Sequence, residues 1–290
     1  MQDQRRAGED TTSTDHRGSV LVFDYVGRRP EAPVSSLELE AYGFTVHHLL
    51  KPPRARELTA AAYADHLWRR HGPFGTEVRA VLAYCMAAPI AQEVAARLTA
   101  ASGSPVPLVL FDGEPTTAES VREQYLIGVE KLGGLLSLSP ARHAPAAFEP
   151  AELRDRPEQA LRRMHESLLE LGERAARKGT VDPRLVRTEA TMVADYYLDW
   201  LSHLIAAHNA SWPRWGGPAV QIVSRHHVCE AEWPGAAATE TVRVDVARHD
   251  LLRHPDVASI VQSVMTKAAA TGAPPHRATG NPERGPGRGI

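Results

Sequence analysis

The stretch whose reading decides the fold is Val78–Leu98, VRAVLAYCMAAPIAQEVAARL. Val78 to Tyr84 is an apolar run of strand length, and after Cys85 the segment Ala87 to Leu98 repeats Ile90, Val94 and Leu98 at a four-residue step, the apolar stripe of a helix. Pro89 falls in the first turn, where a missing N–H costs little. Strand, sharp bend and helix thus follow one another with a single nucleophile-capable side chain at the bend. In such an elbow the central residue holds a strained backbone, and the positions two before and two after must be small because strand and helix nearly collide. Here they are Ala83 and Ala87. The helix N-terminus beneath Cys85 offers unpaired N–H groups and the positive end of a dipole, which favour a thiolate and the oxyanion of a tetrahedral intermediate. The Met86 N–H is the expected first donor.

Working outward, Ser19–Tyr25 and Phe44–Leu50 read as strands, Glu57–Arg70 as a helix, and Val106–Phe111 as a further apolar strand. Strands alternating with helices imply a mostly parallel sheet covered on both faces. From Glu114 to Trp215 the pattern becomes helical, over Glu119–Leu136, Glu158–Lys178 and Pro183–Asn209, and it reads as an insertion. Strands are expected again at Ala219–Ser224 and Thr241–Val246, with a closing helix at Pro255–Lys267. The expected organisation is a disordered tail at 1–18, a first core segment at 19–113, a helical insertion at 114–215, a second core segment at 216–267 and a second tail at 268–290. Both tails are rich in Gly, Pro, Ser, Thr and charge, with too little apolar content to offset ordering entropy.

The 290 residues carry 33 Lys+Arg against 35 Asp+Glu, with 43% hydrophobic and 23% charged residues, the composition of a globular chain. A formal charge of −2 leaves no electrostatic footprint for nucleic acid or an anionic membrane. No apolar run approaches the roughly 18 residues that span a bilayer, and the N-terminus lacks a secretory h-region, so the chain is read as cytoplasmic. With only Cys85 and Cys229, no disulfide framework and no zinc quartet is expected, and no metal or cofactor.

Two further residues fall at strand ends. Leu110, Phe111 and Asp112 close the strand after the elbow helix and put a carboxylate at the sheet edge where α/β proteins hold their sites; read in isolation, Asp112 is a turn cap. His249 lies just past the last expected strand, whereas His226, His227 and His254 are read as surface residues. Taken by itself Cys85 is as readily a small core residue as a nucleophile. The order Cys85, Asp112, His249 reproduces the Ser, Asp, His order of the α/β hydrolases with Cys substituted. Tyr84 and Tyr25 are candidate substrate contacts, with sheet packing as the plainer reading of Tyr84. The aromatics Tyr196, Tyr197 and Trp200 sit at helical spacing and read as core.

The segments Glu57–Leu98, VLFDGEP at 109–115 and VARHDLLRHPDVASIVQSV at 246–264 together resemble the thioesterases of polyketide synthases and nonribosomal peptide synthetases, over about two thirds of the chain. AQEVAARL at 91–98 is similar to that family's helix after the elbow, and Asp112 follows Cys85 by 112 − 85 = 27 residues, about the spacing of the triad acid in many members of that family. The resemblance implies an α/β-hydrolase fold with a helical lid over an acyl channel. It implies catalysis by Cys85, His249 and Asp112 on an acyl or peptidyl chain borne on the phosphopantetheine of a carrier protein. The chain departs from the family in its Cys nucleophile, its elbow alanines and its lack of a Gly-rich segment after the first strand. The second oxyanion donor is therefore assigned to the Val26 backbone. A thiol nucleophile passes the acyl group on as another thioester, so transfer to an amine or hydroxyl, or cyclisation, stands beside hydrolytic release. Two other readings remain at this stage: a non-catalytic module binding a carrier or an acyl chain, and a dienelactone-hydrolase-like enzyme. The latter would take its acid from a later strand, where only Glu230 and Glu232 are on offer.

Overall fold

The computed structural model describes residues 17–27, 29–52, 54–75, 77–135, 148–178 and 182–271. Most of both expected tails, and Leu136 at the expected end of one helix, lie outside these. At the tail boundaries, Gly18 already belongs to the first strand, and residues 268–271 continue the last helix.

Six strands form one parallel sheet: β1 Gly18–Phe23, β2 Phe44–His48, β3 Val78–Tyr84, β4 Leu108–Phe111, β5 Pro218–Val223 and β6 Ala238–Arg243, in the order β2-β1-β3-β4-β5-β6. The helices are α1 Ala60–His71, α2 Ala88–Ser102, α3 Ala118–Leu135, α4 Glu152–Asp155, α5 Pro157–Lys178, α6 Pro183–His208 and α7 Pro255–Thr271. The inner parallel strands bury both faces, and alternation along them divides the core in two. Leu21, Phe23, Val81, Ala83, Leu108 and Leu110 join α1, α2, α3, α5 and α6 in one cluster. Val20, Val22, Ala80, Leu82, Val109 and Phe111 join Val257, Val261 and Met265 of α7 in the other. Helix boundaries follow local chemistry: the Thr59 side chain accepts from the Ala62 N–H ahead of α1, Asp182 caps α6 with Pro183 at its first position, and Gly103 (φ 72°) closes α2 in the left-handed region.

This is the expected α/β-hydrolase fold, with the elbow after β3 and helices α3 to α6 between β4 and β5. Strands β1, β2 and β4 end or begin about two residues inside the expected bounds, and two larger differences stand beside these. The short helix α4 was missed, having too few residues for a period to show. The last strand begins and ends three residues earlier than Thr241–Val246: β6 is an exposed edge strand whose start, Ala-Thr-Glu, is polar enough to read as loop.

Candidate active site

In this strand order the chain reverses its winding between β1 and β3, and α/β sheets open a crevice at the carboxyl ends of such strands. Asp24 and Tyr25 follow β1 and Cys85 follows β3, so the crevice is where the elbow residue sits. Cys85 has φ 54°, a left-handed backbone that costs a non-glycine residue about 1–3 kcal/mol and persists where its surroundings over-determine it. The flanking Ala83 and Ala87 are buried. A larger side chain at either would push strand and helix apart. A one-turn 3-10 segment, Cys85–Ala87, leads into α2, and the Met86 N–H donates to the Cys85 sulfur.

The partners of the thiol are not those expected. The Cys85 Sγ–H donates to Glu114 Oε1 at 2.9 Å, and Arg248 Nη2 donates to Sγ at 2.8 Å. Burial pushes the thiol up to about 12; the Glu114 charge adds to this, while Arg248 and the Met86 N–H work against it. The thiol is therefore protonated at rest, where the helix N-terminus had been expected to favour a thiolate. Burial disfavours the charge of Arg248, but Cys85, Tyr84 and Glu114 outweigh it and the guanidinium is held more firmly protonated than usual. Its Nε also donates to the Tyr84 hydroxyl at 3.2 Å and lies 3.8 Å from Asp112 Oδ2.

His249 does not join this group. Its Nε2 lies 3.1 Å from Asp250 Oδ2, and its side chain is 63% exposed. Arg248 and His249 open the 3-10 segment Arg248–Arg253, where successive side chains diverge by about 120°, so an offset of one residue decides which enters the site. The Cys-His-Asp constellation is thus not assembled, and the inward position belongs to Arg248. Asp112 is fully buried with φ 43°, and its carboxylate accepts from the Ser224 N–H at 2.7 Å and the Ser224 hydroxyl at 2.9 Å. It faces Arg248, while Glu114, two residues on, touches the thiol. His227, read as a surface residue, has a side chain only 6% exposed, with Nδ1 3.9 Å from Asp112 Oδ1.

The pocket over Cys85 has a volume of about 320 Å³ and is lined by Tyr25, Arg29, Glu31, Tyr84, Met86, Ala87, Glu114, Glu123, Gln124, Trp200, His203 and Arg248. Both expected substrate contacts, Tyr84 and Tyr25, are in its wall. Val26 is not; it lies in the exposed turn after β1. Trp200, read as core, faces the pocket as well, from α6. Arg29 stacks 3.4 Å over the Tyr84 ring and is tied to Asp24 at 2.8 Å. Burial raises the Tyr84 phenol to about 12 although Arg248 and Arg29 pull the other way, so it stays neutral. Glu114 is legible in VLFDGEP as a second carboxylate two residues past Asp112; Arg248 and His203 carry no local signature. Cys229 is half-buried and outside the wall; the exposed Glu230 and Glu232 are outside it too. Among the described residues no group of three or more His, Cys, Asp or Glu is disposed to hold a metal ion, and no helix is long and apolar enough to cross a membrane.

No protein-family model matches the chain, and no curated protein matches it in sequence. Solved structures similar to it include the Vlm2 thioesterase domain with genetically encoded 2,3-diaminopropionic acid and a bound dodecadepsipeptide, at TM-score 0.46 and 15% identity over 88% of this chain and 96% of that one. The NocB thioesterase domain in covalent complex with a fluorophosphonate nocardicin G analogue has TM-score 0.40 and 18% identity over 87% of this chain and 96% of that one. A protein of Pseudomonas aeruginosa designated an epoxide hydrolase has TM-score 0.46 and 13% identity over 87% of this chain and 90% of that one.

Proposed function

We propose that the pocket is an acyl-transfer site in which Cys85 takes an acyl or peptidyl group from a phosphopantetheine thioester on a carrier protein and releases it by hydrolysis. The observation that carries this reading is the placement of Cys85. Its sulfur stands at a strained strand-to-helix bend, facing a pocket, with a carboxylate at 2.9 Å and a guanidinium at 2.8 Å. A proton acceptor within hydrogen-bond reach and a cation beside the developing thiolate are what an unactivated thiol needs in order to attack.

In the first step the thiol proton passes to Glu114 Oε1 as the sulfur bonds to the thioester carbonyl carbon, and the carbonyl oxygen becomes an oxyanion beside the Met86 N–H. Collapse expels the pantetheine thiolate, which recovers the proton from Glu114. In the second step Glu114 accepts a proton from water as its oxygen attacks the acyl-S-Cys85 carbonyl, and the departing sulfur takes that proton back. An amine or hydroxyl acceptor enters by the same route, which makes acyl transfer or cyclisation the alternative outcome. Asp112, held by Ser224, positions Arg248.

A second reading, acyl-chain binding without turnover, is favoured by the protonated resting thiol. Intact-mass measurement after incubation with acyl N-acetylcysteamine thioesters separates the two. The catalytic reading expects one acyl mass on the wild-type chain and none on Cys85→Ala, together with turnover that needs Cys85. Equal turnover by Cys85→Ala sinks it, and binding with neither adduct nor turnover establishes the second reading.

A further inference from the structure

One group in the pocket wall has no part in this chemistry. His203, on α6, is fully buried, and neither ring nitrogen has a hydrogen-bond partner among the described residues. Aromatic rings flank it on three sides. It stacks on Trp200 at 5.5 Å and 12°, meets the Tyr63 ring at 5.5 Å and 79°, and lies 5.0 Å from Tyr25. The Trp200 N–H is already satisfied by Gln124 Oε1 at 3.0 Å, so it offers the imidazole nothing. Buried polar atoms are nearly always paired, and an orphan that faces a cavity marks a place where a ligand completes the pairing.

The protonation state says what kind of ligand. Burial, assisted by the Arg54 charge, holds the imidazole down to about 3, so it is neutral at any working pH. A neutral imidazole presents one N–H donor and one acceptor nitrogen. An anion would use only the donor and a cation only the acceptor; an uncharged group with both functions, an amide or a hydroxyl, can use either.

We propose that His203 is a substrate-positioning residue whose free imidazole receives an amide or hydroxyl borne within the acyl chain, so that the pocket selects peptidyl or hydroxyacyl chains over plain alkyl chains. The inference rests on the acyl reading of the pocket and deepens it. Trp200 and Tyr25 would cover the apolar part of such a chain while His203 fixes where along it the polar group must fall.

The test uses pantetheine thioethers, which cannot react with Cys85, bearing three chains of equal length: alkyl, amide-containing and hydroxyl-containing. By calorimetry, wild-type protein should bind the amide or the hydroxyl chain at least about tenfold more tightly than the alkyl chain. In His203→Phe, which keeps an aromatic ring in the stack, that preference should fall to within about twofold while alkyl binding persists. A preference for one polar chain only identifies the source of the group. Equal affinities in wild type, an undiminished preference in His203→Phe, or no binding of any chain overturns the proposal. Should His203→Phe lose its cooperative melt, nitrogen resonances of labelled His203 in wild type decide: movement with polar chains but not with the alkyl chain supports the proposal, and the same movement with all three refutes it. Because no turnover is involved, an inert Cys85 leaves these affinities unchanged, and the two readings fail separately.

Discussion

Replacing Glu114 by glutamine removes a negative charge 2.9 Å from the Cys85 sulfur while nearly preserving the size of the side chain. At an effective dielectric constant of about 20, two unit charges at that distance interact by about 6 kcal/mol. Glu114 is 35% exposed, however, and water screens it. A constant of about 40 to 80 gives about 1.4 to 3 kcal/mol, a fall of about 1 to 2 in the thiol pKa from its present value of about 12. At pH 8 the thiolate fraction then rises about 10- to 100-fold. Thiolate nucleophilicity declines as pKa declines, with a Brønsted coefficient near 0.5, so alkylation by iodoacetamide should accelerate only about 3- to 10-fold. Peptide mapping across pH 7 to 11 reads this rate at Cys85 separately from Cys229. Acyl transfer should move the opposite way, kcat/KM falling by about 100-fold or more, because the proton acceptor is gone. Stability gives a third readout. The folded thiol holds its proton above the ordinary value of 9.0, so the stabilisation is fully present below about pH 9 and is lost as pH rises toward about 12. In Glu114→Gln that window narrows and the alkaline loss shrinks. Alkylation that slows or stays the same, with acyl transfer intact, would refute both the electrostatic and the catalytic role of Glu114.

Two other substitutions probe the placement of residues by the fold. His249→Ala should leave adduct formation and turnover within about twofold of wild type, since its imidazole sits with Asp250 in solvent; a loss of 100-fold or more would mean that the loop carries His249 to the thiol during reaction. Gln92→Leu should cost about 2–4 kcal/mol in chemical denaturation, because the Gln92 amide donates to the carbonyls of Pro213 and Pro234 and accepts from the Trp233 indole, leaving three groups unpaired on its removal. A loss under about 0.5 kcal/mol would show that those loops rearrange to reach water.

The elbow was legible because it is a local object. An apolar run, one polar residue and a helical stripe occupy consecutive positions, and steric crowding at the bend dictates the small residues around it. The inner strands of the parallel sheet were legible for a related reason, since strands buried on both faces must be apolar throughout. Periodicity misled where packing came from more than one side. Helix α2 reads as a single stripe of Ile90, Val94 and Leu98, yet Gln92 and Glu93 are buried too, because the loops bearing Pro213 and Trp233 cover its other face.

The sequence by itself thus determined the fold class and the residue at the bend, both set by interactions among neighbours in the chain. Only the tertiary structure decided what surrounds the sulfur. Glu114, Arg248 and His203 come from three separate segments, and their meeting at one pocket depends on how each segment docks. One residue of phase in the turn after β6 sends Arg248 inward and His249 into solvent. Such phase is fixed by burial of Leu251 and Leu252 against the sheet, a long-range contact that no local pattern of polar and apolar residues records.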